Sequence, residues 1–184
     1  MNLYTARVKH SPDTVRRFTV IQYDTFEPFG KVIRFALAVT LIIAGAFSGS
    51  SAALVFLLFL GCVLLTNLNS KALSVADQVE KAMHGSFPEL HYSFSEDRFT
   101  DGPERPEVLY SALIRLIEDN DYLYLFASKS SGYMIETASV TGDGGAEGLK
   151  RLISEKSGCE WKRPLTLATL KLKDLFSSIG NKVN

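Results

Sequence analysis

Between Phe35 and Ser70 the chain has no Asp, Glu, Lys or Arg. A helix in a soluble core keeps one polar face, so 36 residues without a charge exclude an ordinary soluble domain there. Cysteine is scarce too, with only Cys62 and Cys159. A bridge between them would need one thiol at membrane depth, so two unpaired thiols are expected, which favours a reducing compartment. No signal peptide is visible ahead of the apolar run, and a cleaved segment is not expected. The run begins only after charged sequence and reads as an anchor.

Catalytic and metal signatures are missing as well. His10, His84 and His91 show no metal spacing with one another or with a cysteine. The Gly-rich loop "TGDGGAEGLK", residues 141–150, opens a helix but lacks the Gly-Lys-Ser/Thr of a phosphate loop, and Asp143 and Glu147 would repel phosphate. It reads as a strand-to-helix connection capped by Asp143. Glu96, Asp97, Asp101 and Glu104 cluster around a turn without the rhythm of a calcium loop, so they read as a solvated hairpin tip. No serine lies in a nucleophile elbow. The expectation is no catalytic residue, no cofactor, no metal and no small-molecule substrate identified.

What charge there is falls in blocks. Residues 1–34 carry six basic and three acidic side chains, residues 71–158 nine basic and fifteen acidic, and residues 159–184 five basic and two acidic. An acidic body between basic ends argues against nucleic acid and against a basic phosphoinositide pocket, while the ends suit anionic lipid.

The apolar stretch Phe35–Thr66 would make a helix of about 48 Å, against a hydrocarbon core of about 30 Å. Ser48-Gly49-Ser50-Ser51 interrupts it, and glycine with serine hydroxyls suits a turn between two helix ends. Dividing the run there gives spans at Val32–Ser48 and Ser50–Leu68. Lys31 and Arg34 precede the first and Lys71 follows the second, so the positive-inside rule puts both ends in the cytoplasm. A single bent helix is the alternative, with Ser and Gly as packing residues.

On the N-terminal side, "LYTARVKH" alternates as a strand does. Ser11-Pro12-Asp13 then starts a helix carrying Val15, Phe18, Ile21 and Gln22 at helical spacing. That helix suits the lipid surface and the side of a folded domain equally. After the spans, "KALSVADQVEKAMHG" places Leu73, Ala76, Val79 and Met83 on one face and continues the membrane helix outward to Gly85. From Glu89 the period falls to two. Strands are expected through "ELHYSF", through Val108–Glu118 with a break near Ser111, and through "YLYLFAS" and "SGYMIETASV", with a turn at Asp119-Asn120-Asp121. A last helix, Gly145–Lys156, carries Leu149, Leu152 and Ile153 on one face and a Glu147–Arg151 pair.

In the tail, Trp161, Lys162 and Arg163 suit a headgroup interface. Leu165, Leu172, Leu175, Phe176 and Ile179 share a helical face. The tail fits a basic amphipathic helix on the inner leaflet, and packing over the small sheet domain is the favoured reading, because a domain of that size is marginal alone and has apolar surface to cover.

The order of parts resembles the YcxB-like bacterial membrane proteins. The residues that carry the resemblance are "HYSFSEDRF", "YSALIRLIEDNDYLYLFASKSSGYMIE" and "EGLKRLISEKSG". It implies a C-terminal domain similar to a bacterial pleckstrin-homology fold and a membrane location, and no established activity. The chain departs from the family at Ile135-Glu136-Thr137, where relatives often read Ile-Pro-Lys.

The expected fold is therefore α+β: a two-helix transmembrane hairpin with a small antiparallel half-barrel closed by a helix. The segments are 1–31 (strand and amphipathic helix), 32–68 (hairpin, turning near 48–51), 69–87 (linker helix), 88–158 (pleckstrin-homology-like domain) and 159–184 (basic tail). Lys31, Arg34, Lys71, Trp161, Lys162 and Arg163 are the expected membrane-interface residues. The expected role is a multi-pass bacterial inner-membrane protein acting as an interaction or regulatory module, with the lipid bilayer and a protein partner or second copy as partners. A transport-complex subunit, for which Ala38, Gly45 and Ala52 would supply small-residue faces, and a lipid-acting enzyme are the other classes.

Overall fold

The computed structural model describes residues 3–102 and 105–164. Strand β1 (Tyr4–Lys9) buries Ala6 and Val8 and turns Thr5, Arg7 and Lys9 outward. Helix α1 (Pro12–Phe26) starts as its sequence dictates. The Ser11 hydroxyl accepts the Thr14 N–H while the Thr14 hydroxyl accepts the Ser11 N–H, with Pro12 in the first turn. Helices α2 (Pro28–Phe47), α3 (Ser51–Thr66) and α4 (Ser70–Ala82) follow.

The chain then returns through β2 (Glu89–Phe94), β3 (Arg98–Thr100) and β4 (Val108–Leu109), and through a 3-10 turn at Tyr110–Ala112 to β5 (Arg115–Glu118). The expected break near Ser111 is that turn. Strands β6 (Tyr122–Phe126), β7 (Gly132–Glu136) and β8 (Thr141–Gly142), helix α5 (Gly145–Ser157) and strand β9 (Trp161–Lys162) complete the described chain.

The strands form two sheets, ordered β4-β3-β2-β1-β8 and β7-β6-β5-β9. All pairs are antiparallel except β5–β9. One core joins the sheets and α5, with Phe94, Phe99, Tyr124, Phe126, Leu149 and Ile153 fully enclosed. Ser139 ties the sheets together. Its hydroxyl accepts the Arg7 N–H of β1 and lies within hydrogen-bond distance of the Arg7 and Glu136 carbonyls.

Strand β1 pairs with β2 along its whole length, from Tyr4↔Phe94 to Lys9↔Glu89. Residues 1–31 and 88–158, set apart in the sequence reading, thus contribute to one folded body. The four helices α1–α4 form an excursion between two adjacent strands, and both ends of that excursion are anchored in the same sheet.

Helices α2 and α3 are antiparallel neighbours joined at Ser48–Ser50. Gly49 takes φ +65°, the left-handed region that glycine tolerates. The Ser48 hydroxyl donates to the Gly45 carbonyl, and the Ser50 side chain accepts the Ala53 N–H. The helices approach closely at two glycines. A Cβ on Gly61 would lie 2.6 Å from Ile42 Cγ1, and one on Gly45 would lie 3.1 Å from Leu57 Cβ.

Three details differ from the sequence reading. Helix α4 does not prolong α3, because the chain bends by 41° between them, and α4 buries Ala72 and Ala76 while Leu73 and Val79 stay exposed. Small side chains let α4 lie close to α1, and Arg16 of α1 bridges to Asp77 and Glu80 over that contact. The cap of α5 is Gly144 at φ 71°, with no side-chain bond, so Asp143 does not cap it. Glu147 pairs with Lys150 and not with Arg151, because Lys150 is already held toward Glu118 of β5.

Candidate functional site

Two breaks in the helical excursion lie side by side. Glu27 ends α1 and begins α2, with φ −130° and ψ 48°, and Pro28 has no N–H to continue the first helix. Asn67–Asn69 separates α3 from α4. Below this two-stranded joint α1 and α4 run beside each other to the sheet domain, and above it α2 and α3 form the apolar hairpin.

Three basic side chains clasp the joint. Lys31 Nζ of α2 reaches back over Pro28 to Asp24 Oδ2 of α1, at 2.7 Å. Lys71 Nζ of α4 reaches Glu27 Oε2, also at 2.7 Å, and lies 5.3 Å from the centre of the Tyr23 ring. Arg34 Nη1 of α2 donates to the Asn67 and Leu68 carbonyls and to Ser70 Oγ, each at 3.4 Å. Those two carbonyls belong to the chain just past α3, and that of Asn67 also accepts the Ser70 N–H.

The electrostatics differ from pair to pair. Asp24 is only 9% exposed, and burial raises its pKa above the ordinary carboxylate value while the Lys31 ammonium pulls the other way. Burial thus outweighs the ion pair at this carboxylate. Lys71 lies in the open, and its hydrogen bond to Glu27 raises its pKa.

Of the six residues expected at a membrane interface, Lys31, Arg34 and Lys71 converge here. The other three belong to a different place. Trp161 lies on β9, packs against the core and donates its indole N–H to the Lys150 carbonyl at 2.9 Å. Lys162 shares that strand, Arg163 follows it, and β9 is the edge of its sheet opposite β7. The amphipathic face expected from Leu165 to Ile179 lies outside the described residues. Asp24, Glu27, Tyr23 and Ser70 were not singled out in the sequence. The seven-residue spacing from Asp24 to Lys31 across a proline was the one available signal for the first of them.

The expected choice for α1 between lipid and domain is settled toward the domain. Phe18 and Phe26 pack on Phe126 of β6, Arg17 bridges Asp119 and Asp121 at the β5–β6 turn, and the Gln22 amide donates to the Lys129 carbonyl. Further along α1 and α4, an open cleft of about 350 Å³ is lined by Arg16, Asp77, Glu80, Lys81, His84 and Phe87. Its arginine is already matched by two carboxylates.

Among the described residues no group of His, Cys, Asp and Glu is arranged to hold a metal ion. Ala38 and Gly45, two of the small residues considered for contacts with other subunits, are used inside the hairpin, against Gly61 and against Leu54 and Leu57.

The hairpin surface is apolar and uncovered. Of sixteen large hydrophobic side chains exposed among the described residues, eleven lie on α2 and α3, including Ile33, Phe47, Val55, Phe56 and Phe59. Among the described residues helix α2 alone is long and apolar enough to cross a membrane; α3 reaches that length only when joined to α4 through the 41° bend. No protein-family model, curated protein or solved structure matches the chain.

Proposed function

We propose that this protein is an integral membrane protein whose α2–α3 hairpin crosses the bilayer twice and holds the sheet domain against the cytoplasmic face, as an interaction or regulatory module without turnover of its own. The observation that carries this reading is the concentration of exposed large apolar side chains on α2 and α3. Patches of that extent on soluble monomers mark sites covered by something else. Lipid fits, because the helices satisfy their own backbone and the chain from Phe35 to Ser70 is free of charge.

The hairpin is short for the task. Sixteen residues of α3 make about 24 Å, some 6 Å less than a typical hydrocarbon core. Local thinning and snorkelling of Lys31, Arg34 and Lys71 make up a difference of that size. The bacterial inner membrane is the compartment proposed, in keeping with the resemblance to YcxB-like proteins, which would make the helix-closed, two-sheet domain one of pleckstrin-homology type.

Alkaline carbonate extraction tests the membrane part. The full chain is expected to stay in the membrane pellet and to dissolve only with detergent. Release by carbonate alone would overturn it. Purification in mild detergent tests the module part: a stoichiometric protein partner or a defined homo-oligomer is expected, and a monomer that co-purifies with nothing counts against it.

A further inference from the structure

We propose that Arg34 and Lys71 form a binding site for the phosphate of an anionic phospholipid, at the level where the hairpin meets the domain. This deepens the membrane reading and rests on it.

The Arg34 guanidinium has five N–H donors in a planar fork. Only Nη1 is engaged, by two carbonyls and a hydroxyl at 3.4 Å, and among the described residues no carboxylate pairs with Arg34. Those contacts hold the group in place while leaving the Nη2 and Nε donors without an acceptor among the described residues. Its fellow clasps differ. Lys31 is matched by Asp24 and Lys71 by Glu27. Among the described residues the joint therefore combines three cations with two carboxylates, and the positive charge without a paired carboxylate is that of Arg34.

The second component is near. Lys71 follows Ser70, the residue whose hydroxyl Arg34 touches, and its exposed ammonium keeps two N–H donors beyond the one given to Glu27. Two cations that repel each other beside an unused fork of donors suit one shared anion. A phosphate diester accepts two parallel bonds from a guanidinium and a further one from an ammonium.

Placement chooses the source of that phosphate. Arg34 lies in the first turns of α2, which is long and apolar enough to cross a bilayer, beside the end of α3 and next to exposed Ile33 and Leu37. A headgroup phosphate at the edge of the hydrocarbon is at this level, whereas a dissolved phosphate gains nothing from the apolar surroundings. The expected ligand is therefore a lipid with net negative charge, such as a phosphatidylglycerol, in preference to a zwitterionic phosphatidylcholine.

Native mass spectrometry of the full chain released from detergent, with equal amounts of phosphatidylglycerol and phosphatidylcholine added, tests this. The wild-type chain is expected to retain phosphatidylglycerol about fivefold better, as one cation near a membrane surface provides. Arg34→Gln is expected to remove that preference. Arg34→Lys, which keeps charge without the fork, should restore part of it. Lys81→Gln, the same loss of charge ten residues beyond Lys71 on α4, should leave it intact. Inorganic phosphate in excess should not displace the lipid.

No lipid preference in the wild type, or a preference that survives Arg34→Gln, overturns the site, as does displacement by inorganic phosphate. Equal loss in Lys81→Gln would reduce the effect to net charge and also overturns it. Carbonate resistance of the same samples separates the two levels: a chain that resists extraction yet shows no preference removes the headgroup site alone.

Discussion

Lys31 and Asp24 meet at 2.7 Å across the break between α1 and α2, with only 21% and 12% of their side chains exposed. The pair joins the helix that packs on the domain to the helix that begins the hairpin. Removing one partner strands a largely desolvated charge, which in buried pairs costs several kcal/mol. Asp24→Ala is expected to destabilise the chain by about 2 kcal/mol, less than a fully buried pair because some water remains. Asp24→Ala with Lys31→Met is expected to recover more than half of that. Denaturant unfolding in detergent checks it, and strictly additive effects would show that the pair is not coupled.

Contacts inside the hairpin give a graded prediction. A side chain on Gly61 collides with Ile42 and with the Ala38 carbonyl, whereas one on Gly45 is merely tight against Leu57. Gly61→Leu should therefore loosen the hairpin by about 1–3 kcal/mol, and Gly45→Ala by less. Thermal unfolding of both variants in detergent gives the order, and the reverse order would contradict this packing.

Ser139 makes three short contacts to backbone groups of two sheets, with Arg7 N, Arg7 O and Glu136 O at 2.7 to 2.9 Å. Ser139→Ala leaves at least one of them without its partner, at a cost of about 1–3 kcal/mol. Amide hydrogen exchange at Arg7 is the specific readout: it should accelerate in the variant while core amides of β6 change only with global stability.

His10 supplies a pH dependence. Burial lowers its pKa below 6.5, and its buried Nδ1 has no hydrogen-bond partner among the described residues. The unfolded chain therefore binds this proton more tightly than the folded one. The contribution is fully present above pH 6.5 and is lost as the pH falls below that value toward the folded-state pKa. Stability measured through this window should fall with acidification, and His10→Gln should flatten the slope. An unchanged slope would assign the effect to another group.

How much of this was legible depends on range. The start of α1 was readable because Ser11, Pro12 and Asp13 signal it within one turn, although the part of Thr14 was not, and the hairpin turn was readable because Ser48, Gly49 and Ser50 lie together. The break at Asn67–Asn69 was hidden, since Leu68 and the helical spacing beyond it continue the pattern without proline or glycine. The partners of Lys31 and Lys71 are set by how α1 and α4 meet the hairpin, which no local spacing encodes. Trp161 next to two cations has the composition of a headgroup anchor, yet the parallel pairing of β9 with β5 turns its indole toward α5. Lys150 drew Glu147 away from Arg151 for the same kind of reason, because β5, which ends 27 residues before α5 begins, supplied Glu118.

In the proposed topology α2 and α3 cross the bilayer twice and leave the domain in the cytoplasm. Single cysteines at Ser50, in the hairpin turn, and at Ser86, beyond α4, in a chain lacking Cys62 and Cys159, test it directly in intact cells with a membrane-impermeant thiol reagent. Labelling at Ser50 with protection at Ser86 until the membrane is opened is the expected result. Labelling at Ser86 with Ser50 protected would place the domain outside, and protection of both would mean that the hairpin turn never reaches the far surface; either contradicts the two crossings.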